Sequence, residues 1–160
     1  MFSFVARDLK DELKQTKDFP SPEVEAYLSI VRTAAVLEHE LAEALKPAGI
    51  TPTQYNVLRI LRGGGPEGLC RNELGARLVR QVPDVTRLLD RLEDAGQIAR
   101  ERSDDDRRYM TTRITRDGLR TLERLDDVVI GVHKRQLGHV GTKQLRTLIG
   151  ALGVARKRGR

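Results

Sequence analysis

Arg87 and Arg91 stand four residues apart in the run Val82–Gly96, so on a helix they share one face, a turn apart. A guanidinium is a planar fork of donors that fits guanine O6/N7 or a phosphate, so the pair has the chemistry to hold or read nucleic acid. Asp84 and Thr86, at the start of the same run, are placed to add base or backbone contacts. Arg71 and Asn72 open the preceding segment, where a helix's positive end favours a phosphate. Gln81, in the connection between the two segments, completes the expected contact set. Asp90 and Asp94 repel phosphate, so the C-terminal half of the run is expected to point away from the backbone.

No residues are grouped for catalysis. There is no Ser/His/Asp or Cys/His set, and Gly63-Gly64-Gly65 is not followed by the Gly-Lys-Ser/Thr of a phosphate loop. His39, His133 and His139 form no i,i+4 pair, and no cysteine or carboxylate completes a zinc set, so neither metal nor cofactor is expected.

The elements that must position the arginines follow from periodicity. At roughly 100° per residue, Val85, Leu88, Leu89 and Leu92 form an apolar stripe opposite Pro83, Arg87, Asp90, Arg91 and Asp94. Pro83 suits the first helical position, and Gly96 suits the left-handed stop. Arg71 to Val79 reads as a shorter helix with Leu74, Leu78 and Val79 inward, joined through Arg80-Gln81-Val82 in a helix-turn-helix. Ile98–Arg102 and Tyr109–Ile114 read as two strands around a charged tip, Ser103 to Arg108. A short helix followed by a two-stranded ribbon is the pattern of a winged helix-turn-helix, with double-stranded DNA as its partner.

Composition agrees with a polyanionic partner but locates the charge elsewhere. The chain of 160 residues carries +6, yet residues 71–108 hold nine basic and nine acidic residues. Residues 109–160 contribute +8 and residues 1–50 contribute −3. Affinity in the reading head must therefore come from where its arginines stand. Trp is absent and aromatics are 4%, which argues against stacking platforms for single strands. One cysteine allows no internal disulfide, and no run approaches a membrane span, so a reducing cytoplasm is expected.

Elsewhere, residues 1–17 read as a short amphipathic helix with Phe2, Val5, Leu9 and Leu13 on one face; its mixed-sign polar face favours packing on a partner subunit over a membrane surface. Ser21-Pro22 starts a long helix with Tyr27, Val31, Ala34, Leu41 and Leu45 as its buried stripe, ending at Lys46-Pro47. Thr51-Pro52-Thr53-Gln54 is a capping box, and the Gly63–Pro66 run stops the helix it starts. Thr115 caps another long helix, with Leu119, Leu122, Leu125, Val129 and Val132 inward, to about Leu137. Thr142 starts a last helix through Leu145, Leu148, Ile149 and Leu152. These terminal stripes exceed what one small reading head can cover.

Thr51–Leu61, Val85–Glu93 with Gly96, Asp106-Arg107-Arg108 and Arg113–Gly118, in that order, resemble four motifs of the MarR family of bacterial transcriptional regulators, over about residues 20 to 155. The resemblance implies a mainly α fold with a small β-wing, a winged helix-turn-helix flanked by N- and C-terminal dimerisation helices. Residues 1–50 and 116–160 would dimerise and 51–115 would bind DNA. It further implies a homodimer on a pseudo-palindromic operator, most often as a repressor, the alternative being a non-specific architectural DNA protein. Asp106 would brace the wing tip, Arg108 would probe the minor groove and Arg107 would lie beside it. A small phenolic or aromatic ligand would sit between lobes, lined by Tyr27, His39, Tyr55 and Arg59. The chain departs from the family at Gln97, where leucine is usual, and at Cys70, where Thr or Ser usually caps; oxidant-sensing cysteines in the family usually lie near the N-terminus.

Overall fold

Thr51 starts the first core helix in the way its neighbours dictate. Its hydroxyl accepts the Gln54 N–H at 3.2 Å, and its own N–H donates to Gln54 Oε1 at 2.9 Å. In the computed structural model, which describes residues 8–102 and 110–157, the order is α1 (Leu9–Glu12), α2 (Pro22–Leu45), α3 (Pro52–Gly63), β1 (Leu69–Cys70), α4 (Arg71–Arg77), α5 (Val85–Asp94), β2 (Ile98–Arg102), β3 (Met110–Ile114), α6 (Arg116–Leu137) and α7 (Thr142–Arg156). Short 3₁₀ turns follow α2 and α6.

The chain forms two compact units, Met1–Glu40 and Leu41–Arg160. In the first, the described part of the expected helix over residues 1–17 contains the single turn α1; residues 1–7, with Phe2 and Val5, lie outside the described residues. Only the C-terminal end of the stripe expected to be buried on α2 is covered: Tyr27 is 65% exposed, and Val31 and Ala34 are exposed too. The apolar periodicity is present, but a single chain leaves this stretch in water.

In the second unit, Leu41 packs against the core and Leu45 and Ile50 enter it, with Val57, Leu58 and Leu61 of α3, Leu74 of α4, Leu89 and Leu92 of α5, and Leu122, Leu125 and Val129 of α6. Full burial of a leucine is worth roughly 1.5–3 kcal/mol, so this cluster fixes how the short helices sit. Tyr55 on α3 donates its hydroxyl to Asp126 Oδ1 on α6 at 2.9 Å, and Arg62 Nη1 donates to Asp126 Oδ2 at 2.6 Å. The terminal helix α7 buries none of its residues; Leu148 and Ile149 are exposed.

The sheet has three strands in the order β1-β3-β2, all antiparallel, with Leu69 opposite Thr112 and Ile98 opposite Ile114. The two-residue β1 is an addition to the expected ribbon. It ties the start of α4 to the wing. Thr115 caps α6 by accepting the Gly118 N–H at 3.1 Å, and its hydroxyl donates to the Gly96 carbonyl at 2.7 Å. Gly118 permits that junction, since a Cβ there would sit 2.3 Å from the Gln97 carbonyl oxygen.

Candidate nucleic-acid interface

The reading helix α5 is fixed at both ends by local chemistry. Asp84 is its N-cap, a carboxylate oxygen accepting the Arg87 N–H at 2.9 Å. At the far end Gly96 takes φ +68°, the Gly96 N–H donates to the Glu93 carbonyl at 2.8 Å, and the Gln97 N–H donates to the Leu92 carbonyl at 2.9 Å. This paired closure satisfies carbonyls that the helix end would otherwise leave open. One expectation is corrected. Pro83 is not the first helical position but precedes the cap, because Asp84 can accept a backbone N–H and proline's ring cannot. Asp84, assigned to DNA contact, has one oxygen committed to capping.

Between these ends, Leu89 and Leu92 are buried while Thr86, Arg87 and Arg91 are exposed along the outer face. Arg71 and Asn72 are exposed in the first turn of α4, and Gln81 is exposed in the connection. A cleft of about 500 Å³ brings Arg71, Asn72, Asp84 and Thr86 to one wall. The helix starts of α4 and α5 thus open on the same side, each adding a positive helix end to a surface of neutral net charge. Asp106, Arg107 and Arg108 lie outside the described residues.

The turn is longer than Arg80-Gln81-Val82. α4 ends at Arg77, and Leu78 to Asp84 run without helix until Val85. Val79, expected inward, is 89% exposed. With the helix ended, the Val79 N–H has no carbonyl one turn back and donates instead to Asn56 Oδ1 of α3 at 3.1 Å.

The largest feature missed by the sequence pattern is Arg100. From β2, its Nε donates to Glu93 Oε2 at 2.8 Å, its Nη2 reaches the same carboxylate, and it also meets Asp90 Oδ1 at 2.7 Å. The Arg100 N–H adds a bond to Glu93 Oε1 at 3.1 Å. The guanidinium holds the Glu93 carboxyl below its usual range. Two of the acids on α5 are therefore neutralised by the wing strand. The only sequence signal was Asp90 and Glu93 at i,i+3 before a strand arginine.

Cys70 is the N-cap of α4 and half-buried; its N–H donates to Glu73 Oε2 at 2.9 Å. Of the residues suggested for a ligand, Tyr27, His39 and Arg59 are exposed. Tyr55 is buried with its hydroxyl bonded to Asp126; burial, with the Asp126 carboxylate beside it, pushes its pKa up to about 12. Among the described residues no group of histidine, cysteine and acidic side chains is arranged to hold a metal ion. No described helix is long and apolar enough to cross a membrane.

A helix whose cationic outer face is presented by a second helix at its start and a β-ribbon at its end defines a winged helix-turn-helix protein. The MarR family's sequence profile matches residues 50–110. The chain is 31% identical over 112 residues to the HTH-type transcriptional regulator YkoM of Bacillus subtilis, spanning 67% of this chain and 71% of that one. It is 31% identical over 117 residues to the HTH-type transcriptional repressor Rv2887 of Mycobacterium tuberculosis, 73% of this chain and 83% of the relative. The crystal structure of a MarR transcription factor from Planctomyces limnophilus superposes with a TM-score of 0.66 at 36% identity, covering 86% and 99% of the two chains. That of a mutant MarR from Escherichia coli complexed with operator DNA has the same fold, with a TM-score of 0.78 at 24% identity over 87% and 99%. The chain belongs to the MarR family and is a DNA-binding transcriptional regulator.

Proposed function

We propose that this regulator is a cytoplasmic homodimeric repressor that reads a pseudo-palindromic operator through α5, with the wing tip in the adjacent minor groove. The observation that carries the reading is the outer face of α5. Thr86, Arg87 and Arg91 stand in solvent on a helix whose other side is locked in the core, both ends are capped, and the acids Asp90 and Glu93 are drawn to Arg100. Such a helix presents donors at fixed spacing to base edges with its backbone already ordered before binding. Arg71 and Asn72 hold phosphates at the start of α4, and Gln81 adds a contact from the turn.

Residues 1–50 and 116–160 supply the dimer, supported by the exposed apolar positions Ile30 and Val31 on α2 and Leu148 and Ile149 on α7. A two-fold axis would set two α5 helices about one DNA turn, roughly 34 Å, apart. Repression is favoured by the relative in Mycobacterium tuberculosis that bears the name of a repressor. Release would come from a small phenolic or aromatic ligand, a reading that rests on the family resemblance.

Selection of bound sequences from random DNA tests the whole reading. An inverted repeat with half-sites about 10 base pairs apart, bound roughly 10³-fold or more above random duplex, is the expected result. Equal affinity for all duplexes would make the protein an architectural one instead. Repeating the selection with a panel of phenolics tests release.

A further inference from the structure

After Asp127 the chain contains no acidic residue. Residues 128–160 hold eight lysines and arginines, so this segment carries +8 while the remaining 127 residues sum to −2. Lys134, Arg135, Lys143, Arg146, Arg156 and Lys157 are all exposed, and none forms an ion pair with a described residue. Around the reading head the charge is mixed: Arg71, Arg87 and Arg91 face solvent, while other arginines are paired. Arg100 is paired with Glu93 and Asp90, Arg113 with Glu101, Arg62 with Asp126 and Arg120 with Asp117. A block of positive charge with no acidic residue in its sequence therefore sits at the C-terminal end, in addition to the arginines of the face that reads bases.

That end is far from α5. The start of α6 is pinned to the end of the reading helix by the Thr115–Gly96 bond, and α6 then runs 22 residues, about 33 Å, before α7 begins. Phosphates gripped around α5 lie about a helix length from Lys143 and Arg146. The two cationic surfaces are thus about a DNA turn apart, far enough to engage separate duplexes.

We propose that the cationic face of α7 and the end of α6 form a second, sequence-independent site for the phosphate backbone of duplex DNA, so that the protein can hold one duplex by its reading head and another by its C-terminal helices. Chemistry selects this occupant. Residues 128–160 contain no Phe, Tyr or Trp, so there is no platform for stacking single-stranded bases and no aromatic anchor for a membrane interface. Lys143 and Arg146 lie within about 60° of one another on α7, away from the stripe of Leu145, Leu148, Ile149 and Leu152, and Lys157 follows at the helix's C-cap. A row of solvated cations backed by nothing acidic attracts phosphate by releasing condensed counterions, a contact that reads no sequence.

The test uses the full chain and two short random-sequence duplexes, one labelled with a fluorescent donor and one with an acceptor, at low salt. The parent is expected to bring the two together and give energy transfer that disappears as salt rises. The variant Lys134→Gln/Lys143→Gln/Arg146→Gln/Lys157→Gln changes only exposed positions, so its unfolding midpoint should match the parent. It should lose the transfer while still binding one duplex, with the slope of log affinity against log salt for the second duplex reduced by about 0.9 for each contact removed. Arg87→Ala/Arg91→Ala should weaken the first duplex and leave the second site's salt slope intact. Energy transfer undiminished in the four-glutamine variant, or absent in the parent, overturns the proposal. So does a variant that bridges normally but no longer self-associates, which would assign these cations to a second copy of the chain. Loss of operator preference in a sequence selection would instead count against the reading head and leave this result standing.

Discussion

Arg100 and Glu93 are joined by three bonds, two from the guanidinium and one from the Arg100 backbone N–H. The reading helix and the wing strand therefore move as one piece. Because Asp90 shares the same guanidinium at 2.7 Å, Arg100 also removes negative charge from the edge of a helix meant to approach phosphates. Arg100→Ala is expected to cost about 1 kcal/mol of stability, below the roughly 1.5–3 kcal/mol of bonds to charged groups, since both acids are a third to a half exposed and screened by water. Urea unfolding measures that. Affinity for a selected operator should fall by more than this stability loss explains; unchanged affinity would show that α5 needs no brace from β2.

The two arms of the reader should fail differently. Arg87→Ala should cost about 1–3 kcal/mol on the preferred site and relax preference at one base pair per half-site. Arg108→Ala should weaken binding most where the minor groove is narrow and A·T-rich. Asp106→Ala should resemble Arg108→Ala, because the brace holding the probe is lost. Plain electrostatics predicts tighter binding when an acid near DNA is deleted, so fixed-salt titrations of Asp106→Ala and Arg108→Ala against one operator decide between them.

Stability should respond to pH through Tyr55 and Asp126. Arg62 first, then the Tyr55 hydroxyl, hold the Asp126 pKa below its ordinary value, so this contribution is present above about pH 4 and lost as pH falls through the folded value. The Tyr55 pKa rises from 10.0 to about 12, so its contribution is complete below pH 10 and lost as pH climbs towards 12. Tyr55→Phe should flatten the alkaline limb of a plot of unfolding midpoint against pH. In an ultraviolet titration of the parent, Tyr55 should ionise around pH 12; ionisation of all tyrosines near pH 10 would mean that the bond to Asp126 does not form in solution.

Leu148 is 45% exposed in the single chain. If α7 packs on a second copy, Leu148→Asp places an unpaired charge in that interface and weakens association by several kcal/mol. Sedimentation at micromolar concentration is expected to show a dimer for the parent and a shift to monomer for the variant. A monomeric parent removes the basis for a two-fold operator.

Cys70→Ser should preserve DNA binding and raise stability by a few tenths to about 1 kcal/mol, because a serine hydroxyl caps a helix better than a thiol while Glu73 keeps its bond to the residue 70 N–H. Peroxide that abolishes binding in the parent but not in this variant would make Cys70 a sensor, contrary to expectation.

Local chemistry was enough to place most elements. Thr51 and Thr115 cap by forming bonds with residues three positions away, Gly96 ends α5 because only glycine takes φ +68° cheaply, and the stripe of Leu89 and Leu92 has the helical period. These signals need no knowledge of distant chain, so the sequence by itself determined the helix-turn-helix, the wing strands and the outward face of Arg87 and Arg91. What depends on partners far along the chain was decided only by the tertiary structure. The Asn56 bond to Val79 spans 23 residues, the Tyr55–Asp126 bond 71, and the pairing of Leu69 with Thr112 adds a strand too short to show any period. Arg100 sits only seven residues from Glu93, yet their pairing requires the chain to reverse at Gly96 and lay β2 back along α5. Apolar spacing likewise predicted a stripe on α2 but not its cover: periodicity states which face wants to leave water, and packing decides whether anything is there to receive it.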